Sequence, residues 1–173
     1  MAVGVYPLHS TGGRSGAVRR EDLMTTDIER KADEARIREV LEDRAAATTA
    51  RDARRFLSHC APDIVEFSLA PPLQYKGPQA RDQRAVEAWY ATWRGPIEVT
   101  LTQLEITVGD DVAFSHSINR MRGTKTDGFE VELWSRATVG LRRIDGTWKI
   151  THAHDSVPFL MDGSGLAALD LKP

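Results

Sequence analysis

The chain is predicted to fold as an α+β domain. Helical periodicity fills its first half, period-two alternation fills its second, and Gly/Asp turn pairs separate the alternating runs. Helices set apart from hairpin-linked strands mean an antiparallel sheet with helices to one side, not a doubly wound sheet.

Thr26-Asp27-Ile28-Glu29 reads as a capping box opening the first helix, with Thr26 as cap and Glu29 reaching back. Ile37, Val40, Leu41, Arg44, Ala45 and Thr48 follow at spacings of three and four, so they share one buried stripe. Asp52 can cap a second, short helix with Phe56, Leu57 and Cys60 on one face, ended by Ala61-Pro62-Asp63. Residues 64–69 then read as a strand, halted by Ala70-Pro71-Pro72. Gly77-Pro78 opens a third helix, with proline where no amide hydrogen is needed. Its buried face is Val86, Trp89, Tyr90 and Trp93, and Gly95-Pro96 stops it.

The remainder alternates. Ile97, Val99 and Leu101 occupy odd positions, whereas Leu104, Ile106 and Val108 occupy even ones. A phase flip of that kind at Thr102-Gln103 is what a β-bulge produces, and bulges bend sheets. Gly109-Asp110, Asp127-Gly128 and Asp145-Gly146 then turn the chain into strands at 112–124, 129–144 and 148–157.

At 173 residues the chain fits one domain with tails: a disordered tail at 1–25, the domain at 26–160, and a C-terminal tail at 161–173. Met24 is expected to be the true initiator of an over-extended start. Leu166, Leu169 and Leu171 are expected to pack back over the domain or a partner subunit. Net charge is −2, from 23 basic and 25 acidic residues, with no basic stripe, so nucleic acid is not an expected partner. No apolar run approaches the roughly 20 residues of a membrane span. No secretory signal is visible either, so no membrane association and a cytoplasmic location are expected. The lone Cys60 reads as a buried structural thiol despite the adjacent His59.

Trp148, Ile150, His152, His154 and Ser156 fall on every second residue, and so on one face of a strand. Two apolar anchors followed by two imidazoles lead either into a pocket or out through a polar interface. Such a His-x-His pair can ligate metal only with a third ligand from His116 or Glu66. The other readings are proton transfer and hydrogen bonding within a dimer interface, and no metal or cofactor is expected. His116 sits in the alternating row Val112, Phe114, His116, Ile118, either as a satisfied core histidine or as a pocket acid/base. Arg136 shares a face with Trp134, either as an interface surface or as a guanidinium holding a carboxylate or enolate beside an aromatic wall. Ser135 and Ala137, on the opposite face, leave room for a ligand beneath them. Phe67, Trp89, Tyr90, Trp93, Asn119 and Trp134 are the expected pocket-lining residues.

This order of elements resembles the cone-shaped fold of nuclear transport factor 2, and more narrowly its SnoaL-like and ketosteroid-isomerase-like branch. The matching residues are Ala61-Pro62-Asp63-Ile64-Val65, Tyr75-Lys76-Gly77, 142–150 (Arg-Arg-Ile-Asp-Gly-Thr-Trp-Lys-Ile) and 152–158 (His-Ala-His-Asp-Ser-Val-Pro). The resemblance covers about residues 28–160 and implies a curved sheet wrapped over three helices. Members include isomerases, cyclases, dehydratases and binding modules, so it does not carry one activity. The isomerases keep a catalytic aspartate near the end of the first strand. Here that region is Glu66-Phe67-Ser68-Leu69, and Glu66 substitutes only if it points inward.

Two functions are therefore expected as alternatives. One is a cofactor-free acid/base isomerase, cyclase or dehydratase for a small apolar carbonyl compound. It would use His116, His152 or His154 for proton transfer and Arg136 to stabilise charge. The other is a non-catalytic ligand-binding or dimerisation module. A homodimer is expected under both.

Overall fold

The structure, a computed structural model, describes residues 20–173, with side chains from Thr26 onward. Most of the expected N-terminal tail lies outside the described residues. Helix α1 spans Arg20–Ala50, so Thr26 stands inside it and not at its cap, because upstream residues already continue the helix. The buried side of α1 carries Asp33, Ile37, Leu41, Ala47 and Thr48, at the steps that place residues on one helix face.

Helix α2, Ala53–Ser58, is capped as expected: Asp52 accepts from the Arg55 amide at 2.9 Å. It stops earlier than expected, because strand β1, Cys60–Phe67, begins at once and buries Cys60 and Ala61. The two residues of β2, Tyr75–Lys76, pair antiparallel with β1. Gly77-Pro78 does not open α3. Gly77 sits at φ 51°, donates its amide to the Ile64 carbonyl at 2.8 Å, and starts a turn. Helix α3 spans Gln83–Ala91 and is capped by Asp82, which accepts from the Arg84 and Ala85 amides. It ends before Trp93, which is the first residue of a strand.

Four long strands follow: β3 Trp93–Val108, β4 Val112–Lys125, β5 Glu130–Ile144 and β6 Thr147–Ser156. They complete one curved sheet ordered β2-β1-β6-β5-β4-β3, in which β1 runs parallel to β6. The predicted bulge is present in β3. Gln103 has φ 51°, and the register shifts between Thr102↔Ile118 and Glu105↔His116. A second, unexpected bulge lies in β6: Ile150 opposes Leu141 and His152 opposes Gly140, so Thr151 is the extra residue. Ile150 and Ala153 are consequently both buried.

The helices cover the concave face. Ile37 and Leu41 of α1 pack there on Ile64, Leu141, Trp148 and Ile150. Tyr90, Trp93 and Ile97 form a second cluster. Asp33 ties α1 to the sheet by accepting from Arg143 at 3.0 and 2.6 Å and from the Trp148 indole at 3.1 Å. These bonds hold its carboxyl at about 2, Arg143 contributing most. Among the described residues no helix is long and apolar enough to cross a membrane.

Candidate functional site

The helices do not fill the curve of the sheet. Between α1, α3 and the inner face lies a cavity of about 450 Å³. Its apolar wall includes Leu41, Val86, Trp89, Val99, Leu101 and Val139. Its floor is a polar stripe on adjacent strands, Ser115, Ser117 and Asn119 on β4 and Ser135 on β5. Ser117 donates to the Asn119 amide oxygen at 2.8 Å, which leaves the Asn119 NH₂ free to donate.

One end of the cavity is charged. Arg44 enters from α1, Glu66 from β1 and Asp155 from β6. Arg44 Nη2 donates to Glu66 Oε1 at 3.0 Å, and the guanidinium carbon lies 4.1 Å from the Phe56 ring centroid. Its Nε is buried without a partner. Among the described residues Asp155 has no hydrogen-bond or ion-pair partner. Burial raises its carboxyl above the usual range, the nearby Arg44 cation opposes this, and Glu66 adds to it. The Tyr90 hydroxyl is also buried without a hydrogen-bond partner, and the Thr48 hydroxyl donates to the Arg44 carbonyl at 3.2 Å. Burial pushes that phenol up.

The residues expected from the sequence divide between two faces. Glu66, Trp89, Tyr90 and Asn119 line the cavity, and Glu66 meets the condition of pointing inward. His116, His152, His154, Arg136, Phe67 and Trp134 stand on the opposite, outer face. Trp93 packs into the second cluster, 3.7 Å from Lys125 Nζ. The His116 side chain is 54% exposed, with Glu105 at 3.6 Å. Its row points outward because Ala113, Ser115 and Ser117 are the buried residues of β4. His152 and His154 are turned out by the Thr151 bulge. They meet Phe67 edge-on at 4.9 and 5.5 Å, and His152 Nδ1 donates to the Val65 carbonyl at 2.9 Å. Among the described residues no three His, Cys, Asp or Glu side chains converge to hold a metal.

Sequence reading placed Arg44 on the right stripe without assigning it a role, and it missed Asp155. One signal was available for the latter. The apolar residues Ile150 and Ala153 are three apart, where an unbroken strand would give two or four. Cys60 is buried and its thiol is raised by that burial, which suits a structural residue. His59 is held by Asp43 at 2.7 Å on the far side of α1.

The model of the SnoaL-like domain family matches residues 37–160. An NTF2-like protein of unknown function from Pseudomonas putida is 34% identical, with a TM-score of 0.73 over 83% of this chain and 98% of that one. A hexachlorocyclohexane dehydrochlorinase shares the fold at 19% identity and a TM-score of 0.68, covering 85% of this chain and 97% of that one. An NTF2-like protein with a cystatin-like fold from Novosphingobium aromaticivorans is 18% identical, with a TM-score of 0.65 over 88% and 96% of the two chains. No curated protein matches the chain.

Proposed function

We propose, because the chain belongs to the SnoaL-like domain family, that it is a cofactor-free proton-transfer enzyme for a small, largely apolar carbonyl compound. The observation that carries this reading is Asp155, a carboxyl without a partner among the described residues, at the charged end of a cavity whose wall is largely apolar. A carboxylate with a raised pKa is a stronger base than one in water, and burial supplies that shift here.

In this reading the Asp155 carboxylate removes a proton from the carbon next to the substrate carbonyl. The C–H electron pair moves into the new C=C bond, and the carbonyl electrons move onto oxygen. Donors on the floor, the Asn119 NH₂ and the Ser115 and Ser135 hydroxyls, face the place where that oxygen gains charge. Asp155, now protonated, returns the proton to a second carbon in an isomerisation or to a departing β-hydroxyl in a dehydration. Arg44 and Glu66 position the acid end: their ion pair fixes both side chains and biases Asp155 electrostatically.

The outer face supports the second part of the proposal, a homodimer, which we place in the cytoplasm. Val112 and Phe114 on β4 and Phe67 on β1 are exposed apolar residues there, on either side of His152 and His154.

Deuterium uptake tests the chemistry. Small apolar ketones and enones incubated with the protein in D₂O should exchange the protons next to the carbonyl, followed by NMR. Asp155→Asn should abolish the exchange, whereas His116→Gln and His154→Gln should retain it. Binding without exchange in the wild-type protein would leave the ligand-binding module as the correct function.

A further inference from the structure

The charges around the cavity balance unevenly. Glu66 is already occupied by Arg44 at 3.0 Å. The Arg120 guanidinium turns to the outer face, held by Glu132 at 2.7 Å and 5.9 Å from the Trp134 ring centroid. The Asp82 carboxylate accepts the first amides of α3. Asp155 is the remaining charged group among the described lining residues, and it has no partner. The charge of Arg44 is therefore balanced by Glu66, although its buried Nε keeps an unused donor, and the Asp155 carboxyl is left without a balancing cation of its own.

From this arrangement we propose that the cavity selects neutral, hydroxyl-bearing apolar molecules and rejects carboxylic acids of the same shape, with Asp155 as the specificity-determining acceptor. A hydroxyl or enol donates to the Asp155 oxygen and fills its open acceptor position. A ligand carboxylate brings a further negative charge beside Asp155 and Glu66, where the one guanidinium, Arg44, is already neutralised by Glu66. Like charges within a site of low polarity repel strongly. The buried Arg44 Nε can donate one hydrogen bond to such an acid, but a further carboxylate beside the Arg44–Glu66 pair and Asp155 adds to the net negative charge of this end of the cavity. The serine and asparagine stripe does not offset this, because neutral donors do not cancel a net charge. The inference rests on the proposed function only in taking the cavity as the ligand site. It adds which ligands enter, independently of whether chemistry follows.

Three probes of one shape test it: 2-naphthol, 2-naphthoate and 2-methylnaphthalene, titrated by calorimetry at neutral pH. The first is neutral with a donor, the second is anionic, and the third has neither feature. Wild-type protein should bind 2-naphthol at least about tenfold tighter than 2-naphthoate, a difference of about 1.4 kcal/mol. Asp155→Asn, which removes the charge and keeps the shape, should bring the two within about threefold, mostly through tighter naphthoate. Naphthoate binding as well as naphthol in wild type overturns the proposal, as does a preference that survives Asp155→Asn. The wild-type ratio decides alone if the variant fails to fold. Methylnaphthalene binding without a naphthol preference rejects the charge selection and keeps the apolar cavity. Failure of all three probes at millimolar concentration rejects both.

Discussion

Asp33→Asn removes one charge from the clamp between α1 and the sheet while preserving its shape. Asp33 accepts from Arg143 twice, from the Trp148 indole, and from Arg36 at 3.2 Å. Its side chain is 10% exposed and that of Arg143 25%, so solvent screens the pair only weakly. The carboxyl falls from 3.8 to about 2, which corresponds to roughly 2 kcal/mol of native-state stabilisation. Asparagine keeps one acceptor but leaves Arg143 facing a neutral group, so the variant should lose roughly 2 kcal/mol, or roughly 4–8 °C in Tm for a domain of this size. The pH dependence carries a definite sign. A depressed carboxylate contributes its full stability above its unfolded pKa and loses it as pH falls through the folded value. Wild-type stability should therefore decline from about pH 4 towards pH 2 by roughly that amount more than the variant's. Urea unfolding across this range measures both. A loss below about 0.5 kcal/mol at neutral pH, or parallel curves for the two proteins, would refute the reasoning.

Three further outcomes follow from the geometry. Gly123→Ala should cost about 1–3 kcal/mol in chemical denaturation. Its new methyl would sit 3.0 Å from the Trp93 ring and 3.1 Å from the Pro96 carbonyl, a backbone atom that cannot step aside. Ser135→Leu adds bulk to the cavity floor, so it should weaken 2-naphthol binding about tenfold or more, while changing stability by less than about 1.5 kcal/mol in urea. Phe114→Asp places a charge in the exposed outer field and should convert a dimer to a monomer in sedimentation velocity. A wild-type protein already monomeric at micromolar concentration would remove the homodimer.

The two bulges explain how much of this molecule the sequence exposes. In β3, apolar residues alternate on both sides of the insertion, so the flip from Leu101 to Leu104 is visible in the chain itself. In β6 the insertion at Thr151 is followed by His152-Ala153-His154-Asp155, where one small apolar residue carries the whole phase. Extending the Trp148/Ile150 row through that point puts the imidazoles inside and the aspartate outside, the reverse of the structure. The row Val112, Phe114, His116 misleads for a related reason. Hydrophobicity there marks an exposed field on the outer face, while the concave side is lined with serines because it borders a cavity. Pattern reading assumes that the more apolar face is the buried one, which fails where a sheet has a hollow on one side and an apolar surface on the other. The start of α3 failed more locally: Gly77 is held in a turn by the Ile64 carbonyl, a contact across the sheet edge that no local propensity encodes.

Helix α1 separates the two jobs that ionised groups perform in this fold. Near its middle, Asp33 accepts four hydrogen bonds and helps fasten the helix to β5 and β6. Eleven residues on, about 16 Å along the axis, Arg44 enters the cavity. Here satisfaction stops short: Arg44 Nε and the Tyr90 hydroxyl are buried without partners, and Asp155 faces the hollow alone. Each buried unpaired group costs about 1–3 kcal/mol. The cavity end is therefore under tension that the Asp33 end offsets. Asp155 adds a pH term of opposite sign to that of Asp33. Its raised pKa means that the folded state holds the proton more tightly than the unfolded chain, so ionising it weakens the fold as pH rises through the folded value. The ionised form that the proposed proton abstraction requires is thus the form the fold tolerates less, and a ligand hydroxyl donating to it relieves that tension. Ligand stabilisation of the wild-type protein should accordingly grow as pH rises through the ionisation of Asp155, and Asp155→Asn should remove that growth.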